Sequence, residues 1–336
     1  MTEKSKEKII TQNKRTPLET VVPLPSPYVI FLDPSGKCNF KCNFCPCNVD
    51  GYRKEERHKI MSWDLFKKIA NDIISFEEQV KVIYLNGFGE PLLNPNIVDM
   101  VRYLKENNAC REIRMTTNGS LLTPELNQQL IDAGLDLIRI SVEALDDEGY
   151  KNACGVAFSF DRLVNNIEDF YNKSRGKSKI SAKIVNVALK NHQEEETFYN
   201  VFENITDFHY VEEVQEFWPE FEDIVLPEDC VKANKLYHDS MEETTICAAP
   251  LTEMTIYSNG YVGICAADWK FKLVYGNAMD TDIKELWKSE KLRDFQLQHL
   301  TKKRKDLDFC KECKYKSQDF IDDVANIIVE RVKRNI

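Results

Sequence analysis

Three cysteines fall at Cys38-x3-Cys42-x2-Cys45, and four more stand at Cys247, Cys265, Cys310 and Cys313. Thiolates are soft ligands, so cysteines spaced this tightly on one segment point to metal chemistry before they point to disulfides. Three thiolates on one short loop can ligate three irons of a 4Fe–4S cube and leave the fourth iron open, whereas a closed electron-transfer cluster takes four. Spacing alone leaves a zinc knuckle with a fourth ligand, or unrelated buried thiols, as alternatives. In the second group Cys247-x17-Cys265 and Cys310-x2-Cys313 supply four thiolates, enough to close a site around zinc or around an iron–sulfur cluster. Cys47 lies too close to Cys45 to reach a separate iron of the same cube and reads as a small half-buried thiol; Cys110, Cys154 and Cys230 lack paired spacing and read as buried small hydrophobes.

The elements that must carry these ligands alternate. Short apolar runs enriched in β-branched and aromatic residues read as strands at 28–32, 80–85, 112–116, 135–142 and 180–189, with a sixth near 208–214. Between them, Phe66, Ile69, Ala70 and Ile73 follow the i, i+3, i+4, i+7 rule of an amphipathic helix, as do Ile97, Met100, Val101 and Leu104, and Leu163, Ile167 and Phe170 continue the pattern. Continuous apolar strands separated by helices imply a parallel sheet covered by helices, hence a complete or partial β/α barrel. Cys38 follows the first strand directly, at the end of such a barrel where loops build active sites. Residues 1–27 read as an extended, Pro-rich lead-in and 28–236 as the barrel, with the acidic stretch at 215–245 leading into a second unit at 237–318. That unit contains a hairpin with its turn at Asn259-Gly260, and a terminal helix occupies 319–336.

Of 336 residues, 43% are apolar and 30% charged, the profile of a folded protein; 45 Lys+Arg against 55 Asp+Glu give a net charge of −10, which argues against a nucleic-acid-coating surface. No apolar run is long enough to span a membrane and the N-terminus lacks a signal-peptide pattern, so a cytoplasmic location is expected. The basic run Lys302–Lys305 reads as a solvated helix face. The five histidines show no i, i+4 pair and receive no role.

The run CNFKCNFC, with Phe44 before the last cysteine, resembles the signature of the radical S-adenosylmethionine (SAM) superfamily. The resemblance extends over about residues 28–190. Gly87-Phe88-Gly89-Glu90-Pro91, after the second strand, resembles the family's Gly-Gly-Glu-Pro segment, with Phe88 standing where the commonest form has glycine. Thr117-Asn118-Gly119 after the third strand, and Ser141 and Glu143 at the end of the fourth, sit where the family places groups that contact the cofactor's methionyl and ribose parts. Cys247, Gly260, Cys265, Cys310 and Cys313 resemble the SPASM region in its shortened "twitch" form, which holds one auxiliary cluster.

The resemblance implies a partial (β/α)6 TIM-like barrel with a small C-terminal SPASM/twitch auxiliary-cluster domain. It implies two 4Fe–4S clusters: a SAM-binding one on Cys38, Cys42 and Cys45, and an auxiliary one on Cys247, Cys265, Cys310 and Cys313. Phe44, Gly87, Gly89, Glu90, Asn118, Ser141 and Glu143 become the SAM-binding residues. The implied chemistry is an oxidoreductase of dehydrogenase type: a flavodoxin or ferredoxin supplies an electron, SAM yields a 5′-deoxyadenosyl radical, and hydrogen is taken from a small carbohydrate-like or nucleotide-linked substrate. Asp268 beside the auxiliary ligands is a candidate base, with Trp269 shaping the pocket. A peptide-modifying maturase or epimerase is the alternative within the family, disfavoured by the roughly 27 residues that precede the first strand, and a non-catalytic metal-binding scaffold is the alternative outside it. Two cubes require about 8 Fe per chain after anaerobic reconstitution. Changing Cys38, Cys42 and Cys45 together to Ala should remove about half of that iron. Zinc at the second group, or loss of all iron from a folded triple variant, would contradict the assignment.

Overall fold

The computed structural model describes residues 16–48, 57–212, 246–301, 306–313 and 321–334. Cys230, the acidic stretch at 215–245 with the boundary drawn inside it at 236/237, and Lys302–Lys305 lie outside the described residues. Strands β1 (Val29–Leu32), β2 (Val80–Leu85), β3 (Cys110–Thr117), β4 (Leu137–Val142), β5 (Lys179–Val185) and β6 (Phe208–Glu212) are all parallel and pair in sequence order. The apolar run expected to extend β5 to 189 instead turns into a 3-10 helix at Asn186–Ala188.

Between the strands run the helices Trp63–Ile74, Ile97–Glu106, Pro124–Asp132, Phe160–Ser174 and His192–Phe202. Most begin at a residue whose side chain satisfies an orphan N–H. Ser62, Thr123, Ser159 and Asn191 accept from Leu65, Leu126, Arg162 and Glu194, and Pro124 occupies the first turn, where its missing N–H costs nothing.

The hairpin of the C-terminal unit continues this sheet. Strand β7 (Glu253–Ile256) pairs parallel with β1 on the side away from β2, and β8 (Tyr261–Gly263) and β9 (Val274–Asn277) follow antiparallel. Its turn closes as the sequence indicates: Gly260 takes φ +87°, and the Asn259 side chain accepts from the Tyr261 N–H.

The residues before β1 are less extended than their prolines suggest. Leu18–Val21 forms a helical turn, and Val22, Leu24 and Ser26 are buried. The C-terminal helices hold this stretch: Trp287 Nε1 donates to the Leu24 carbonyl at 2.9 Å, and Arg331 Nε, on the helix Ala325–Arg334, donates to Val22 at 2.7 Å.

The two faces of the sheet differ in chemistry. One face, against the helices, is apolar: Ile30, Leu32, Ile83, Leu85, Ile113, Met115, Ile138, Ile140, Ile180, Ala182 and Ile184 are essentially solvent-free. The inner face is mixed: Val29, Phe31, Val82, Leu137 and Phe208 share it with charged and hydroxyl side chains. Its register rows run Phe31, Tyr84, Arg114, then Thr116, Arg139, Ser181, and then Ser141, Lys183, Tyr210. A closed eight-stranded barrel fills this space with branched apolar side chains. Here Arg114 pairs with Glu112 at 2.6 Å and also donates to the Tyr84 hydroxyl, and Lys183 pairs with Glu212.

Ile138→Ala should therefore lower stability by about 2–5 kcal/mol in denaturant unfolding, because it opens a cavity under the helices. Ser181→Ala, on the inner face, removes a buried hydroxyl that has no hydrogen-bond partner among the described residues and should stay within about 0.5 kcal/mol of the parent.

Candidate active site

The first cysteine group sits on the loop that leaves β1. Phe40 anchors this loop, buried edge-on against Tyr150 and Phe158, while the Lys41 and Asn43 N–H groups donate to the Cys154 and Ala153 carbonyls at the end of the helix Asp147–Cys154. Cys38, Cys42 and Cys45 are half-buried, and Phe44 is half-buried between the last two. The sulfur of Cys45 lies within the electrostatic reach of both Cys38 and Cys42. Burial pushes the Cys38 thiol up to about 12. Contact with the Cys154 thiol, then burial, also raises Cys42, while Cys45 is lowered by hydrogen bonding from Cys47. Among the described residues no group of three or more His, Cys, Asp or Glu side chains is placed to hold a metal ion. Three neighbouring thiols on one loop nonetheless fit a group that takes three thiolates, whose binding must expel the thiol protons.

The loop after β2 is zipped onto this segment. The Glu90 N–H donates to the Lys37 carbonyl at 2.7 Å. A Cβ on Gly87 would lie 2.3 Å from the Asp33 carboxyl carbon, and one on Gly89 would lie 2.0 Å from the Ser35 carbonyl. Glycine permits the close approach of the Asp33 side chain at 87 and of the Ser35 and Lys37 backbone at 89. Glu90 itself is buried, its carboxylate accepting from the Thr117 hydroxyl at 2.5 Å, the Asn118 N–H at 2.8 Å and the Leu92 N–H at 3.0 Å. Burial raises it to about 7. Three protein donors hold Glu90 as the brace between the β2 and β3 loops.

From that brace a polar chain reaches the cysteines. The Asn118 amide donates to Asn39 at 3.0 Å and accepts from Ser120; Asn39 in turn donates to the Ser120 hydroxyl at 2.8 Å, and the Asn118 side chain also touches the Cys38 sulfur. Sequence reading passed over Asn39 and Ser120, although Asn39 lies inside the cysteine motif. Ser141 and Glu143 emerge from β4 on the inner face, Ser141 opposite Lys183. Glu143 is raised by burial, with Lys183 opposing and Glu212 reinforcing, and its charge also acts on Cys42 and Cys45.

In the second group, Cys265 feels the sulfurs of Cys247 and Cys313, and the Cys313 N–H donates to the Cys310 carbonyl. By donor chemistry four thiols suit a closed four-thiolate site, and among the described residues they are not gathered into one. Asp268, fully buried, accepts from the Lys272 N–H at 2.9 Å and the Leu273 N–H at 2.6 Å, one to each carboxylate oxygen, and so pins its own loop. Trp269 is buried against Phe88 and Tyr257.

Residues 32–200 match the family model of the radical SAM superfamily, and residues 247–314 that of an iron–sulfur cluster-binding domain. The chain belongs to the radical SAM superfamily. Its two domains imply 4Fe–4S clusters and SAM. As a radical SAM protein it is 35% identical over 118 residues to a tungsten-containing aldehyde ferredoxin oxidoreductase cofactor-modifying protein of Pyrococcus furiosus, covering 34% of this chain and 31% of that one. It is 42% identical over 115 residues to a probable GTP 3′,8-cyclase of Methanococcus maripaludis, covering 34% and 36%. The chain thus spans about a third of the length of these relatives. Among solved structures, BtrN in complex with AdoMet and 2-DOIA superposes with TM-score 0.58 at 19% identity, over 88% of this chain and 95% of that chain. Streptococcus suis SuiB bound to precursor peptide SuiA gives 0.63 at 18%, over 82% and 67%. These two likenesses describe the fold. No helix among the described residues is long and apolar enough to cross a membrane.

Asp33, at the top of β1, also escaped sequence reading. It is buried, accepts from Ser35 and Ser258, and burial raises it from 3.8 to about 7. A carboxyl raised on folding holds its proton more tightly in the native state, so its stabilising contribution is full below about pH 4 and is lost as pH rises through about 7. Asp33→Asn has no such titration. The stability difference between the two proteins, read by denaturant unfolding, should therefore move in favour of the amide variant as pH rises from 4 to 8; a pH-independent difference would contradict the burial argument.

Proposed function

We propose that this radical SAM enzyme oxidises a small, polyhydroxylated, carbohydrate-like or nucleotide-linked substrate held in the open barrel. Cys38, Cys42 and Cys45 would hold the SAM-binding cluster and Cys247, Cys265, Cys310 and Cys313 an auxiliary one; with SAM, these groups supply hydrogen-atom abstraction and an electron acceptor.

The observation that carries this reading is the set of polar side chains on the inner face. Arg114, Arg139 and Lys183 stand among Tyr84, Tyr210, Thr116 and Ser141, on the strand face that opens toward the cysteine loop. Guanidinium and ammonium groups donate to hydroxyl, carboxylate and phosphate oxygens, and tyrosine and serine hydroxyls both donate and accept. Beyond the ion pairs Arg114–Glu112 and Lys183–Glu212, these groups retain further donor and acceptor capacity for a substrate rich in hydroxyl, carboxylate or phosphate oxygens. Ser141 and Glu143 supply acceptors at the upper rim of this face, and the Glu90–Asn118–Asn39 chain keeps the β2 and β3 loops in fixed register with the cysteines. The electron is supplied by a flavodoxin or ferredoxin.

The test uses anaerobically reconstituted, dithionite-reduced protein and SAM. Expected is slow formation of 5′-deoxyadenosine alone, and deuterium transfer into it from a labelled polyol or nucleotide sugar with formation of the ketone. Lys183→Ala should raise the KM for that substrate about tenfold, the weight of one charge-assisted hydrogen bond, without changing uncoupled cleavage. Deuterium transfer only from a labelled peptide would assign the chain to the peptide-modifying class. No 5′-deoxyadenosine from iron-replete protein would favour a binding scaffold.

A further inference from the structure

The middle residue of Gly87-Phe88-Gly89 has a place in the fold that the two glycines create. A Cβ on either would point into Asp33 or into the Ser35 and Lys37 carbonyls, so the side chain between them projects the other way, toward the C-terminal hairpin. There Phe88, only 6% exposed, stacks on Tyr257 with centroids 6.1 Å apart and planes 16° from parallel, and Trp269 completes a small apolar cluster separate from the main core. Phe271 adds a contact at 4.2 Å to Tyr257, and Arg57 lies over the Phe271 ring while donating to the Trp269 and Lys270 carbonyls.

The cluster touches both cysteine groups. The Tyr257 hydroxyl lies between the carbonyls of Cys265, at 3.4 Å, and Asp268, at 3.3 Å, and shares its one proton between them. On the other side the Cys47 sulfur lies against both the Phe88 carbonyl and Cys45. An unbroken line of contacts therefore runs from Cys45 through Cys47, Phe88 and Tyr257 to Cys265.

We propose that Phe88 is a positioning residue that couples an assembled auxiliary site to SAM affinity: the ring transmits the order of the hairpin around Cys265 to the Gly87–Glu90 loop. The inference rests on the reading that this loop contacts SAM. A glycine at this position would leave the two sites to act independently, whereas the buried ring makes the loop's geometry depend on the position of Tyr257. Coupling of this kind is a free energy shared by two sites, and it is measured by a double-mutant cycle.

The experiment measures equilibrium SAM binding by anaerobically reconstituted protein carrying Cys265→Ala, Phe88→Gly, both changes or neither. Cys265→Ala should weaken SAM binding about tenfold when Phe88 is present and less than twofold in the Phe88→Gly background. Phe88→Tyr, which keeps the ring, should restore the tenfold response. An equal loss in both backgrounds overturns the inference. Cys310→Ser, at a cysteine that makes none of the Tyr257 contacts given above, repeats the cycle if the Cys265 variant does not fold. Hydrogen exchange at residues 86–90, without SAM, reads the link separately: protection should fall on loss of the auxiliary metal only when an aromatic ring occupies position 88. If exchange responds but SAM affinity changes in no variant, Gly87→Ala included, the failure belongs to the reading of this loop as the cofactor contact. If neither responds, the link itself is absent.

Discussion

Strand β1 is hydrogen-bonded on both sides, to β2 and to β7. That double pairing decides the layout of the site, because the chain leaving Leu32 must emerge between the loop after β2 and the hairpin that starts with β7. An edge strand could shift or fray; an interior parallel strand cannot move without breaking two ladders. The cysteine loop is therefore fixed in height and direction before any of its side chains acts. Asp33 shows the same constraint at atomic scale, since its buried carboxyl accepts from Ser35 on its own loop and from Ser258 on the hairpin.

Around this fixed origin the polar groups are arranged to satisfy one another. Glu90 gathers Thr117, Asn118 and Leu92, and Asn118 gathers Asn39 and Ser120. Removing one member of such a network strands buried donors at about 1–3 kcal/mol each, which makes the three loops cooperative rather than independent. The brace is also economical in space, because Gly89 brings two backbones closer than any side chain would allow and Gly87 leaves room for the Asp33 carboxyl.

The open barrel has a consequence for chemistry. Among the described residues the sheet order ends at β6, and the inner face of the strands β1–β6 is not filled by interlocking aliphatic residues alone but carries arginine, lysine, tyrosine and serine as well. Burying such groups without partners is costly, and the ion pairs Arg114–Glu112 and Lys183–Glu212 offset part of that cost. A hydrogen-bonding guest is the natural complement to such a face.

The sequence by itself determined where the strands and helices alternate, the helical faces and the spacing of both cysteine groups, because these depend on local periodicity and on short segments, and its motifs carried the resemblance to the family. Residues such as Phe66, Ile69 and Ile73 declare their helix face without any knowledge of what lies opposite. Spacing could not show that β7 would add to β1, that Val22 and Leu24 would be clasped by the last helices, or that Asp268 would pin its own loop, since each depends on contacts between segments far apart in the chain. Phe88 makes the difference plain. In the sequence it is a departure from the expected glycine, and only the tertiary structure, by bringing Tyr257 and Trp269 from some 170 residues downstream against its ring, turns that departure into a contact between two sites.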